Sequence, residues 1–285
     1  MYFSNMIRSY ILLFFLGLSA ISFAQITCSP ADSALFNIKI EALKKIQAAS
    51  SNDSIVAIGK SLLGTPYVEK TLEIGKTESL VVNLRGLDCT TFVENVLAFA
   101  LLQKQNQQEF ENFTDNLKTI RYRNGVLDGY PSRLHYFTDW IRNNEEKGLV
   151  KNITTDLGGI ELQKAINFMG THRHLYPFLA DDVNFERILE TEAELAQKEL
   201  CYLPQDLIND QETQIQSGDI IALATSIKGL DVTHTGIALK KPNGRIHLLH
   251  ASISGEVKIT EEPLVDYLKK VKNNIGIIVA RPILN

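Results

Sequence analysis

The stretch Leu87-Asp88-Cys89-Thr90-Thr91-Phe92-Val93-Glu94 decides how the rest of the chain is read. From Cys89 onward, Phe92, Val93, Val96, Leu97 and Ala100 recur at helical spacing and so share one face. Asp88 is a good N-cap residue, and Arg85-Gly86 before it suit a turn. The pattern predicts a helix from Cys89 to about Gln105, with the thiol in its first turn. Free N–H groups and the positive end of the dipole there favour thiolate over thiol. Free cysteine is also a common, inert core residue, so this stretch alone leaves nucleophile and core filler both open.

Upstream, Leu35, Ile38, Ala42, Leu43 and Ile46 predict a helix over Asp32 to Ser50. Asp53 can cap a second helix carrying Ile55, Ile58, Leu62 and Leu63, and Gly64-Thr65-Pro66-Tyr67 stops it. Ser79 to Leu84 reads as a strand. Before Asp32 the only charge is Arg8. Ile11 to Phe23 is an apolar run too short to span a bilayer, and Ser22-Phe23-Ala24 is a small-x-small cleavage signal. The expectation is a signal peptide over residues 1–24, export to the periplasm or medium, and a single domain over residues 25–285. A lipoprotein acylated at Cys28 competes with this, but Thr27 is a poor fit where a small residue is expected.

The 285 residues carry a net charge of -4, which gives no support for nucleic-acid binding. Three cysteines are an odd number for an exported protein. Either Cys28 and Cys201 pair and leave Cys89 free, or all three are reduced.

Downstream, Glu109 to Gln214 reads as mostly helix and loop, with an acidic helix over Glu186 to Leu200. It concentrates Arg121-Tyr122-Arg123, Tyr130-Pro131-Ser132-Arg133-Leu134-His135-Tyr136-Phe137 and Trp140. Tyr136, Phe137 and Trp140 have core spacing. Arg121, Arg123 and Arg133 are hard to bury without partners, and read either as solvated surface or as a wall for carboxylates and sugars. His172-Arg173-His174 reads as a surface loop. The last third turns to strands: Ile220 to Leu223, a hairpin of Asp231–Leu239 with Arg245–Ser252 around Asn243-Gly244, and Ile275 to Arg281.

That hairpin carries His234, His247 and His250. A nucleophilic cysteine needs a neighbouring base, and the base needs a third group to orient it. Register decides which histidine can serve. With a strict two-residue turn, His247 faces Lys240, roughly 20 Å along the strand from His234. His250 then faces Ile237, on the opposite sheet face from His234. A three-residue loop or one bulge moves His250 opposite Gly236. The two histidines become same-face diagonal neighbours, roughly 7–8 Å apart between Cα atoms. A His234–His250 pair thus requires an irregular hairpin. A zinc site from His234, His247, His250 and Asp231 is disfavoured, because His247 and His250 point to opposite faces.

These residues resemble a known family. Asp88-Cys89-Thr90-Thr91-Phe92-Val93 is similar to the nucleophile motif of NlpC-type cysteine peptidases, which have a papain-like fold. Ser217-Gly218-Asp219-Ile220-Ile221, His234-Thr235-Gly236-Ile237-Ala238-Leu239 and His250-Ala251-Ser252 resemble the family's Gly-Asp strand, base motif and third catalytic group. Gly64-Thr65-Pro66-Tyr67 resembles an upstream motif whose tyrosine lies at the active site. The interval from Cys89 to His234 is much longer than in typical members. With Arg121 to Arg123, Ser132 to Trp140, Gly229 to His234 and Leu248 to Ser252, the chain looks like a branch of secreted amidases related to NlpC.

The resemblance implies an α+β fold, with a papain-like core of a nucleophile-bearing N-terminal helix on an antiparallel sheet. It also implies a large, mostly helical insertion over about residues 105–215. It implies N-acetylmuramoyl-L-alanine amidase activity on small anhydro-muropeptides, catalysed by Cys89, His234 and His250 with Tyr67 as a second oxyanion donor. Arg121, Arg123, Arg133, His135 and Asp231 are then expected to bind the sugar or peptide carboxylates. No cofactor, metal or stable protein partner is implied. Two other readings are a γ-D-glutamyl-diamino acid endopeptidase and a non-catalytic wall-binding module, and the intact Cys89 and His234 count against the second.

Overall fold

Alternating and continuous apolar runs in the last third of the chain make it the sheet on which everything else packs. The computed structural model describes residues 26–45 and 51–284. The predicted signal peptide and the end of the first predicted helix lie outside them. In chain order the elements begin with β1 (Ile26–Cys28), α1 (Pro30–Leu43), α2 (Ser51–Ser61), β2 (Leu80–Val82) and α3 (Cys89–Gln105). The middle section contributes α4 (Phe110–Arg121), α5 (Phe137–Glu146), β3 (Val150–Asn152), β4 (Ile160–Glu161), α6 (Phe168–Thr171), α7 (Asp182–Leu195), β5 (Cys201–Pro204) and α8 (Ile208–Gln211). The last third holds β6 (Ile220–Thr225), β7 (Val232–Lys240), β8 (Ile246–Ala251), β9 (Val257–Ile259), α9 (Leu264–Lys270) and β10 (Asn274–Pro282).

The main sheet is antiparallel, in the order β4-β5-β10-β6-β7-β8-β9, with β3 also on β10. An α+β architecture with an antiparallel sheet is therefore present. The middle section is less helical than expected, because β3, β4 and β5 extend the sheet beyond β10. These strands are two to four residues long, too short for period-two alternation to show in sequence. The helix that carries Cys89 is not the first: α1 and α2 precede it, and β1 pairs parallel with β2.

One face of the sheet packs on α3. Ile237, Leu239, Leu249 and Ala251 point to the core that holds Phe92, Val96 and Phe99. The other face, with Ala238, Ile246 and Leu248, packs on Leu264 and Leu268 of α9. The apolar stripe predicted for α3 understates its burial: every residue from Thr91 to Leu102 is buried. A helix covered on all sides is a central element, and each large side chain it buries is worth about 1.5–3 kcal/mol. Its ends are well capped. Asp88 accepts the Thr91 N–H at 2.8 Å, and Thr91 Oγ1 accepts the Asp88 N–H at 2.9 Å. Asn106 ends it in the left-handed region, with φ 53°.

The cysteines do not form a disulfide. Cys28 bonds Ser29 and Ser33, Cys201 accepts from Thr155, and all three are free thiols.

Candidate active site

The hairpin is irregular in the way the histidine pair demands. Leu239 pairs with His247 and Ile237 with Leu249, and this register, continued one step, sets Gly236 against His250. Lys241 and Arg245 still exchange a backbone bond, so Pro242-Asn243-Gly244 is a three-residue loop. Gly244 holds the positive φ, +80°, that such a loop needs. A second irregularity lies beside His234, where Thr233 is an extra residue between the Leu223–His234 and Ala224–Val232 pairs. Bulges of this kind re-aim neighbouring side chains. Beyond the Ile237–Leu249 pair the strands part, β7 continuing on β6 and β8 on β9.

His234 Nε2 lies 2.6 Å from His250 Nδ1, with the rings nearly perpendicular at 83°. His250 is 1 % exposed, and Tyr267 of α9 packs edge-on against its far side. Gly236 makes the approach possible, since a Cβ there would sit 2.9 Å from the His250 Cβ. Gly236 and Tyr267 are the residues a periodicity argument misses. Gly236 was legible only through the family motif, and Tyr267 carried no signal.

The start of α3 meets this pair at Thr235, whose hydroxyl donates to the Cys89 carbonyl at 2.9 Å. Thr235 and Thr90 are near enough to the thiol to favour its charged form, though less than burial opposes it. Burial, with the Asp88 carboxylate adding to it, pushes the thiol up to about 11. Burial thus opposes the thiolate that the helix start favours. Burial pushes His234 down to about 4 and His250 to about 3. Thiol and imidazoles rest neutral. Tyr67 is half-buried and close enough to feel charge on Cys89. Burial first and that charge second hold its phenol well above the usual range, so it stays a neutral donor. His247 lies apart, buried, with Nδ1 2.9 Å from the Thr260 carbonyl.

Each residue expected to form a substrate wall has a polar partner within the fold. Arg121 is 1 % exposed and holds Glu94 of α3 at 2.7 Å and the Val81 carbonyl at 2.7 Å. Arg123 pairs with Asp139 at 2.6 Å. Arg133 is buried between Glu73 and Glu78, 3.6 and 3.5 Å away. His135 Nε2 bonds the Tyr130 carbonyl at 2.9 Å, and burial holds its pKa well below the usual histidine range. Asp231 accepts both the Thr138 N–H and hydroxyl at 2.8 Å, satisfying the first turn of α5. Charges this deep need fixed partners. Among the described residues no group of His, Cys, Asp or Glu is placed to hold a metal; His172 caps the end of α6 and His174 lies in the single 3-10 turn that follows, not in the loop expected.

Residues 57–277 match the model of an AmiA-like, N-acetylmuramoyl-L-alanine amidase-like family. The chain belongs to this amidase-like family. Such a family is one of cell-wall hydrolases, with substrates derived from peptidoglycan. A crystal structure of an N-acetylmuramoyl-L-alanine amidase from Bacteroides uniformis is 38% identical with a TM-score of 0.78, covering 82% of this chain and 99% of that one. A Bacteroides fragilis protein provisionally described as a xylanase is 41% identical with a TM-score of 0.73, covering 78% and 98%. A Legionella pneumophila protein shares the fold at 24% identity and a TM-score of 0.67, covering 89% and 94%. No curated protein matches the chain. The xylanase description sits poorly with the AmiA-like site described here. Glycosidases of the usual kind use two facing carboxylates, whereas here His234 pairs with His250 and the neighbouring Thr235 bonds Cys89.

Proposed function

We propose that this AmiA-like protein is a cysteine-dependent hydrolase of the N-acetylmuramoyl-L-alanine amide in muropeptides. The contact of 2.6 Å between His234 and His250, on the strand that touches the Cys89 helix, carries the proposal. It accounts for a base and its orienter beside a nucleophile, the minimum for acyl transfer. The NlpC-type, papain-like assignment belongs to the same proposal. Its supports are the motifs around Cys89, His234 and His250 and the packing of α3 on an antiparallel sheet.

The chemistry follows from the neutral resting pair. His234 Nε2–H donates to His250 Nδ1, which leaves His234 Nδ1 unprotonated. As Cys89 Sγ attacks the lactyl carbonyl carbon, its proton passes to Nδ1. The Cys89 N–H, in the first turn of α3, is an unused donor for the oxyanion, and the Tyr67 hydroxyl is the second. Collapse breaks the C–N bond, and His234 returns the proton to the departing L-alanine nitrogen. Water, deprotonated by His234, then attacks the thioester, releasing the lactyl carboxylate and restoring the thiol. Export through residues 1–24 would bring the enzyme to wall fragments.

Digestion of a muropeptide with mass analysis of the products tests the reading. A free sugar and an intact stem peptide are expected, abolished by iodoacetamide and unaffected by EDTA. A trimmed stem still attached to sugar would replace it with endopeptidase activity. Inhibition by EDTA with iodoacetamide resistance would overturn the thiol mechanism.

A further inference from the structure

A cavity of about 490 Å³ opens between the loop that follows Tyr67 and the turn at Pro177–Ala180. Glu73 and Glu78 line it, together with Tyr130 and Phe178, whose rings stack at 5.1 Å. The Glu78 side chain is 1% exposed and that of Glu73 13%. One oxygen of each carboxylate is engaged. Tyr122 donates to Glu78 Oε1 at 2.8 Å, and Tyr130 donates to Glu73 Oε1 at 3.4 Å. The other oxygen, Oε2 in both, is buried with no partner. Arg133 stands near both engaged oxygens at 3.5 and 3.6 Å, beyond good hydrogen-bond range, and its Nε is also without a partner. Lys76 lines the mouth but is exposed.

An unpartnered buried acceptor costs about 1–3 kcal/mol. Two of them at one cavity call for a donor that is missing from the chain. Glu73 and Glu78 outnumber the one guanidinium between them; burial raises the Glu78 pKa, so a cation seated there would favour its ionised form, and the aromatic faces also favour a cation. We infer that the cavity holds a primary ammonium group: the free side-chain amine of the diamino acid in the stem peptide. This rests on the substrate class proposed above. Chain length permits the reach. Glu73 is six residues from Tyr67, at most about 20 Å of chain. The amine lies two residues and a side chain past the scissile amide, roughly 10–15 Å by the same measure.

The test uses the full chain and two muropeptides, one with the diamino acid's side-chain amine free and one with it N-acetylated. Wild type should cleave the free-amine substrate with kcat/KM at least about tenfold higher, as a lost charge-assisted hydrogen bond implies. In Glu78→Gln, or Glu73→Gln where the first variant folds poorly, the ratio should shrink toward one. Calorimetry of Cys89→Ala with the free and acetylated tripeptide stems gives a second readout. Equal cleavage and equal binding of both forms would overturn the ammonium site while leaving the amidase reading standing. Preference for the free tripeptide without any cleavage by wild type would sink the amidase reading instead. Cadaverine binding as tightly as the tripeptide would assign the cavity to a small diamine and overturn the substrate assignment.

Discussion

The hairpin and the middle section both place charged or titratable side chains near α3, yet they treat them in opposite ways. On β7 and β8 the histidines are set by register, held neutral by burial, and paired with each other beside the Thr235–Cys89 contact. In the middle section the arginines are tied to acids: Arg121 and Arg133, both buried, to Glu94 and to Glu73 and Glu78, and the part-exposed Arg123 to Asp139. The first arrangement suits the acyl transfer proposed above. The second locks the ground beneath it, since Glu94 sits on the same helix as Cys89. Sequence proximity to a motif is thus a poor guide to which polar residues meet substrate.

Removing the nucleophile should separate the two regions most sharply. Cys89→Ala is expected to lower amide cleavage by about 10⁴-fold or more, with the melting temperature little changed. Arg121→Ala should do the reverse. It leaves the Glu94 carboxylate unpaired in the core, at a cost of about 3–5 kcal/mol. Denaturant unfolding would show it, and pairing it with Glu94→Leu should recover much of the loss. If Arg121→Ala instead raised KM without loss of stability, the division drawn here would collapse.

Gly236→Ala tests the hairpin at its tightest point. The added methyl must displace His250, and kcat should fall about 10- to 100-fold with modest loss of stability. Acid titration follows next. His234 and His250 are depressed in the folded state, so between about pH 4 and 6.5 the unfolded chain binds more protons. Stability contributed by keeping them neutral is present above pH 6.5 and is lost as pH falls through that window. The acid limb of kcat/KM should accordingly lie near pH 4, and a limb near 6.5 would contradict the buried neutral pair. Arg123→Ala is the smallest change, at most about 1 kcal/mol, because its guanidinium is 29% exposed and screened by water.

The regular elements were largely legible. α3 begins and ends where the cap and the spacing place it, and β6, β7, β8 and β10 follow the apolar runs. Cys89 and the need for an irregular hairpin could be reasoned out, because both are local consequences of helical and strand periods. The strands β3, β4 and β5 were invisible, being defined by partners far along the chain. The fates of Arg121, Arg133 and Asp231 were hidden for the same reason. A guanidinium reads alike in sequence whether water or a carboxylate 27 residues away receives it, as Glu94 does for Arg121. The burial that opposes a thiolate at Cys89 was also hidden, since it depends on elements far along the chain.

The three residues Pro242-Asn243-Gly244 give this fold a kind of arithmetic. Surface loops usually absorb insertions and deletions without consequence. Here the loop length sets whether His250 falls on an even or an odd step beside His234. Adding or removing one residue would rotate every side chain of β8 to the wrong face. Two would restore the face but slide the imidazole along the strand. Far from the chemistry and open to solvent, the loop acts as a parity digit for the active site, and drift in its length is as consequential as replacing a catalytic residue.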